Sequence, residues 1–244
     1  MSEELEYFDD NASPPGAEKT AIETWMMAVT KPSAATFEEI AAQPGASSGK
    51  AFLWAALALL VSTFFGAISQ AVGAGQSMEM MREFMPPEIA REIPMGGSGG
   101  VGFGAAICGA PLGAIVGVIF FAISVALILW VAKMFGGTGE FDKLAYTFAA
   151  IMVPIAAVNA VLALLGMIPF IGILFGLVSF AVSIYSLVLR VFAVQAVTGL
   201  DTGKSAASVI LPGLVLFIFI CCCIVVFGAL FGVAMGDVFS QMNF

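Results

Sequence analysis

Five long stretches of the chain are apolar almost throughout, and polar or glycine-rich connections separate them. An α-helix needs about 20 apolar residues to cross the hydrocarbon core of a bilayer. The stretches cover residues 51–74, 105–132, 144–165, 169–189 and 206–235, and each is long enough. The pattern therefore predicts an all-α polytopic membrane protein whose five transmembrane helices occupy residues 51–235.

The connections between these stretches differ in length. Only residues 166–168 separate the third stretch from the fourth, so these two form an antiparallel helical hairpin. The connection between the first and second stretches is long, and its Met78, Met81 and Met85 recur at helical spacing. This short helix is either an adaptable binding surface or, as we favour, a lid on the helix ends. The glycines within residues 96–100 predict a flexible linker.

The chain ahead of the first stretch divides into two parts. Residues 1–19 are rich in Asp and Glu, which is typical of a disordered leader. Residues 20–50 have the pattern of an amphipathic helical segment, in which Thr20 and Glu23 form a capping-box sequence and a second such sequence begins at Thr36. The segment either lies in the headgroup layer or docks on the ends of the spans, and both can hold. Its predicted apolar face consists of Ile22, Trp25, Met26 and Val29.

Composition narrows the possible chemistry. The chain is 60% hydrophobic, carries 9 Lys and Arg against 17 Asp and Glu, and has no His. A Ser-His-Asp triad, an HExxH zinc site and a His-ligated haem each need an imidazole and are excluded. The five stretches contain no Asp, Glu or Lys, whereas ion-coupled transporters usually keep an ionisable residue in the membrane. We expect no catalytic residue, metal site, cofactor or nucleic-acid partner.

The basic residues favour one side of the membrane. With five spans, seven of the nine Lys and Arg lie on the side of the N-terminus, and the other two, Arg82 and Arg91, lie on the opposite side. This bias predicts a cytoplasmic N-terminus and an outer C-terminal tail, residues 236–244; in a prokaryote the membrane is the plasma (inner) membrane. Side chains predicted at the membrane interface, where the aromatic ones could instead pack between helices, are Trp25, Lys31, Trp54, Trp130, Tyr146, Tyr185 and Arg190.

Glycines recur at a spacing of four in three of the stretches. Residues four apart share one helix face, and glycine lets two backbones approach closely. We expect helix-packing seams, either within the monomer, which we favour, or at a homo-oligomer interface. These glycines are Gly109, Gly113 and Gly117 in the second stretch, Gly172 and Gly176 in the fourth, and Gly228, Gly232 and Gly236 in the fifth.

Several short motifs occur in an order that is characteristic of one family. Trp25, Lys31-Pro32 and Thr36-Phe37 precede the first stretch, the sequence FGGTGEF at 135–141 follows the second, and VTGLDTGKSA at 197–206 precedes the fifth. With Pro154 in the third stretch, these motifs make residues 25–235 resemble the Ypt/Rab-interacting (YIP) domain membrane proteins in their bacterial or archaeal form. The resemblance implies a cytoplasmic N-terminal region, five helices and a lumenal C-terminus.

The resemblance also implies a function. It indicates a non-enzymatic integral membrane protein with a membrane-organising or scaffold role and with lipid or protein partners. Eukaryotic members engage prenylated small GTPases, but their Asp-Leu-Ala-Gly-Pro signature does not occur here, so GTPase binding is not carried over. The alternative function is a channel or transporter for a small or lipophilic solute, built around Asn159 and helix breaks at Pro111, Pro154 and Pro169.

Overall fold

The computed structural model describes residues 19–84, 98–168, 172–215, 217–218 and 221–222, and their side chains except those of 70–84, 98–108 and 173. Every regular element within these ranges is an α-helix. Helix α7 begins at residue 202 and is described without a gap through residue 215. Among the described residues, the helices before it are α1 (Ala21–Thr30), α2 (Ala34–Ala41), α3 (Ser48–Phe84), α4 (Ser98–Met134), α5 (Phe141–Leu165) and α6 (Gly172–Thr198).

Four of these helices are long and apolar enough to cross a bilayer. The candidate spans are Ser48–Ser69 in α3, Gly109–Met134 in α4, Phe141–Leu165 in α5 and Leu174–Thr198 in α6. Each of them overlaps one of the first four predicted stretches, although the ends differ by several residues. The fifth, residues 206–235, begins within α7 and runs on outside the described residues.

The first two long helices extend beyond the apolar stretches that predicted them. Helix α3 continues to Phe84, so Met78 and Met81 belong to it and not to a separate short helix. Helix α4 begins at Ser98, so the flexible linker predicted for 96–100 is wrong for residues 98–100. Hydropathy falls where a helix leaves the membrane, whereas the helix ends only where its backbone hydrogen bonds stop. Met85 and the other residues of this connection, 86–97, lie outside the described residues.

Helix α6 also runs further than predicted. It continues past Arg190 to Thr198, and the predicted loop of residues 190–205 shrinks to residues 199–201. Arginine is a good helix former with an apolar stem, so a single arginine does not end a helix. Gly199 ends helix α6, because its φ of +70° is the left-handed conformation typical of a glycine at a helix C-terminus. Its N–H donates to the Gln195 carbonyl at 2.9 Å.

Two of the three predicted helix breaks are absent. Helix α4 passes through Pro111 and α5 passes through Pro154. A proline removes one backbone hydrogen bond, but a long membrane helix supported by neighbours tolerates that loss. Pro169 lies outside the described residues.

The packing of the long helices does not simply follow their order in the chain. Helix α3 makes its most extensive contacts with α5 and α4, and α5 also packs against α6. A turn at residues 166–168 joins α5 to α6, as the predicted hairpin requires. The two short helices lie against this hairpin, α1 on α5 and α2 on both α6 and α5.

The buried core is concentrated at one end of the bundle. All eight residues from Leu144 to Ile151, at the start of α5, are buried. Helices α1 and α2 cover this region, and Leu189, Ala193 and Val194 near the end of α6 complete it. We call this region, formed by α1, α2, the start of α5 and the end of α6, the covered end.

Candidate functional site

Helix α1 begins with the predicted capping box. The Glu23 N–H donates to the Thr20 hydroxyl at 3.3 Å, and the Thr20 N–H donates to the Glu23 carboxylate at 2.8 Å. These bonds satisfy two N–H groups that a helix start leaves without partners. The hydrogen bonds that the Glu23 carboxylate accepts from the Thr20 backbone and then from the Thr20 hydroxyl lower the pKa of Glu23 below the ordinary value of 4.5.

The N-cap of helix α2 lies three residues earlier in the chain than the sequence pattern predicts. Its N-cap is Ser33, whose hydroxyl accepts a hydrogen bond from the Thr36 N–H at 3.2 Å, so Thr36 lies inside the helix. The capping sequence predicted to begin at Thr36 therefore does not start this helix. Phe37 and Ile40 are fully buried, and they fix α2 to the covered end.

The two faces of α1 are used differently. Thr24 and Ala28, one turn apart, are fully buried. Ile22 and Met26, which belong to the predicted apolar face, are 67% and 55% exposed. Small side chains therefore hold α1 against the bundle, and two large apolar side chains point away from it.

Polar contacts join these short helices to the spans. The Tyr185 hydroxyl donates to the Val29 carbonyl at the end of α1. The Tyr146 hydroxyl lies 3.2 Å from the Gln43 side-chain oxygen, and that side chain also bonds Thr24. Gln43 carries no local sequence signal for this role, because Tyr146 is 103 residues away in the chain. Only the folded structure brings the two together.

The predicted interface aromatics occupy different environments. Trp25 lies edge-on to Trp54, with 5.4 Å between ring centroids, and Trp54 lies 4.8 Å from Tyr146. Trp54 and Tyr146 are buried, so protein covers their rings. Trp130 is 61% exposed and is free to face lipid headgroups. Tyr185 is half-buried beneath α1.

The two predicted basic interface residues also differ. Lys31 is exposed after the end of α1. Arg190 is half-buried within α6, and its guanidinium lies 5.8 Å from the centre of the Phe148 ring. Arg190 also lines a cavity of about 300 Å³ between α5 and α6, together with Asn159. The structure thus joins the two polar groups that the sequence placed separately in the third and fourth spans.

The two glycine-rich motifs lock together at the covered end. The Thr138 N–H donates to the Thr198 carbonyl at 3.1 Å. A Cβ on Gly139 would lie 2.9 Å from Thr198 Cγ2 and 3.0 Å from the Val197 carbonyl oxygen, so only glycine fits. Gly136 turns the chain with a φ of +94°. These glycines therefore serve a close contact between the loop before α5 and the last turn of α6.

The second motif continues into α7. Asp201 caps this helix, since its carboxylate accepts a hydrogen bond from the Lys204 N–H at 3.3 Å. The Lys204 ammonium lies 3.7 Å from the same carboxylate group, and a similar exposed pair joins Lys143 to Glu140. Exposed pairs of this kind contribute at most about 1 kcal/mol. They present charge at the surface more than they stabilise the fold.

The predicted packing glycines fall into three groups. In α4, a Cβ on Gly117 would lie 3.0 Å from Leu59 of α3, and one on Gly113 would lie 3.4 Å from Thr63. A Cβ on Gly172 would meet the Gly166 carbonyl in the hairpin turn, whereas Gly109 and Gly176 face open space. Gly228, Gly232 and Gly236 lie outside the described residues. The seam between α3 and α4 thus lies within the monomer.

Within the described ranges, no three or more Cys, Asp and Glu side chains gather as metal ligands could. What the geometry supports instead is an all-helical integral membrane protein whose short N-terminal helices are bonded to one end of its spans. The chain belongs to the Yip1 domain family, whose model matches residues 27–225, from within α1 to beyond the described part of α7. Comparison with curated proteins and with solved structures finds no match.

Proposed function

We propose that this chain is a non-enzymatic Yip1-family protein that organises the bilayer through its covered end. The observation that supports this role is the outward position of Ile22 and Met26 on a helix that Thr24 and Ala28 hold against the spans. An exposed apolar pair on a surface helix enters the boundary between headgroups and acyl chains. The same surface would also suit an apolar protein partner.

The anchoring of α1 makes such insertion mechanically effective. Hydrogen bonds join α1 to Tyr185 of α6, and Gln43 links it to Tyr146 of α5. When Ile22 and Met26 enter one leaflet, the added area is therefore tied to the transmembrane helices. A wedge that occupies only one leaflet favours curved bilayers.

The proposed orientation places the covered end in the cytoplasm. Seven of the nine basic residues then lie on the cytoplasmic side, which supports it. Lys31, between α1 and α2, and Lys50, in the first turn of α3, would attract an anionic leaflet. In this arrangement α7 continues through residues 206–235 as a fifth span, and the C-terminus lies outside. Protease accessibility of N-terminal and C-terminal tags in intact cells tests it, and two tags on one side would contradict it.

Remodelling of liposomes by the full chain tests the function. The double variant Ile22→Glu with Met26→Glu should lose most of the change in vesicle diameter, because carboxylates do not enter the acyl region. Its unfolding temperature should stay close to that of the wild type, since both side chains are exposed. Ala35→Glu, at an exposed position of α2, adds a charge without removing an apolar side chain and should leave remodelling intact.

Vesicle remodelling by the double variant at the wild-type level would contradict the proposed membrane-organising role. Remodelling that the Ala35→Glu variant also loses would show that charge alone, and not the apolar pair, explains the effect.

A second candidate function is passage of a small or lipophilic solute. The cavity that contains Asn159 between α5 and α6 favours it. Solute flux through proteoliposomes that the substitution Asn159→Leu abolishes would support this function. Vesicles that remain tight with the wild-type chain would argue against it.

A further inference from the structure

A polar groove interrupts the apolar surface of the α5–α6 hairpin. Its volume is about 300 Å³. The α6 residues recur at i, i+3, i+4 and i+7 and so share one helix face, and the two α5 residues lie one turn apart. The lining consists of Ser183, Ser186, Leu187 and Arg190 from α6 and Ile155 and Asn159 from α5.

The groove holds more hydrogen-bond donors than the protein uses. A guanidinium carries five N–H donors and a side-chain amide carries two. Among the described residues, Arg190 forms no ion pair with a carboxylate, and neither Arg190 nor Asn159 forms a side-chain hydrogen bond. Within the described ranges, the neighbour that compensates the Arg190 charge is the ring of Phe148 at 5.8 Å. A ring face supplies no hydrogen-bond acceptor.

The surroundings make unused donors costly. Ile184 and Phe180 on α6 and Val158 on α5 are exposed and apolar, as is typical of a lipid-facing surface. Polar groups without partners are strongly unfavourable in hydrocarbon. The described parts of the four candidate spans contain Asp142 as their sole acidic residue, at the first turn of α5. A ligand that brings negative charge and several acceptor oxygens would satisfy the groove.

The depth of the groove suits a lipid headgroup. Arg190 lies eight residues before Thr198, the end of α6, which corresponds to about 12 Å along the helix axis. A long arginine side chain can extend from that depth toward the interface. Ser186 lies one turn deeper than Arg190, at the level where a phospholipid presents its ester carbonyls to a protein, whereas Asn159 lies 18 residues into α5, about 27 Å from its start, and is therefore deeper still.

We propose that this groove binds a phospholipid in the leaflet of the covered end. The guanidinium of Arg190 holds the phosphodiester, and planar paired donors fit two phosphate oxygens at once. The Ser186 hydroxyl, one turn deeper, donates to an ester carbonyl. The acyl chains lie along Phe180, Ile184 and Val158. The site requires only that the hairpin lie in a bilayer, and it does not depend on remodelling by α1.

Native mass spectrometry of the full chain in detergent tests the site. Phosphatidylglycerol should remain bound to the wild type, and diacylglycerol, which has no phosphate, should not. Arg190→Gln keeps a polar side chain with hydrogen-bond donors but removes its charge, and it should weaken retention by about tenfold, the effect of losing a charged hydrogen-bond pair. The matched control Lys133→Gln removes one exposed charge at the end of α4 and should retain the lipid.

A second variant keeps the site testable if Arg190→Gln does not fold. Ser186→Ala retains the charge, suits an apolar helix and should weaken retention about threefold. Unchanged retention in Ser186→Ala, or in a folded Arg190→Gln variant, would overturn the proposal. Displacement of the lipid by millimolar inorganic phosphate would also overturn it, because the site would then bind a soluble anion. So would phosphate-independent solute flux that Asn159→Leu abolishes.

Discussion

The two halves of α5 show how one helix meets two different surroundings. From Leu144 to Ile151 every side chain is buried in protein. From Val158 to Leu164 the helix has large apolar side chains in the open. Both halves are apolar in sequence, so hydropathy does not separate them. The first half is covered because α1, α2 and the end of α6 occupy the space that lipid fills around the second.

This difference predicts where substitutions should lower the stability of the protein. In the covered end, side chains are packed as in the interior of a soluble protein, and a lost group leaves a cavity. Around the other half, lipid can fill the space of a lost side chain. Stability should therefore depend on residues of the covered end far more than on equally apolar residues of the lipid-facing half.

The largest expected effect comes from a matched pair of phenylalanines. Phe37 is fully buried in the covered end, whereas Phe120 of α4 is largely exposed. Phe37→Ala should lower the free energy of unfolding by about 3–5 kcal/mol, and Phe120→Ala should lower it by less than about 1 kcal/mol. Denaturant unfolding of the detergent-solubilised chain measures both. Equal losses of unfolding free energy in the two variants would contradict the proposed difference between the covered end and the lipid-facing half.

A smaller effect is expected from a matched pair of glycines. Gly139→Ala forces a Cβ against Thr198 and the Val197 carbonyl and should cost about 1–3 kcal/mol. Gly176 lies in the lipid-facing part of α6 with open space beside it, so Gly176→Ala should stabilise the helix by about 0.5–1 kcal/mol. Thermal unfolding in one detergent compares the two. A Gly139→Ala variant as stable as the wild type would show that the loop before α5 does not pack tightly against the end of α6.

The smallest effect concerns pH. The pKa of Glu23 is lowered in the fold, so its contribution is present above 4.5, the ordinary value, and is lost as the pH falls through the lowered value. Glu23→Gln should remove this part of the acid sensitivity of α1. Hydrogen exchange of the α1 amides at pH 7 and pH 3 measures the difference. Identical acid sensitivity in both proteins would show that the ionised Glu23 carboxylate does not help to hold α1 in place.

Much of the fold was predictable because it depends on local patterns. The four candidate membrane spans follow from runs of apolar residues, and the start of α1 follows from Thr20 and Glu23. Helix ends were less predictable, since α3 and α6 continue through polar residues and past Arg190. The contacts of Gln43 with Tyr146 were not predictable at all, because no pattern couples residues so far apart.

The amino-acid sequence alone predicts an apolar helical membrane protein. It also predicts where the first four spans lie and shows the resemblance to the Yip1 family. Those properties depend on the number and order of apolar residues, which water and lipid sort without regard to tertiary contacts. The tertiary structure decided that α1 docks through Thr24 and Ala28 and leaves Ile22 and Met26 outside. It also brought Asn159 and Arg190 into one groove. Both arrangements depend on which helix faces meet, and an unbroken apolar sequence leaves that choice to packing.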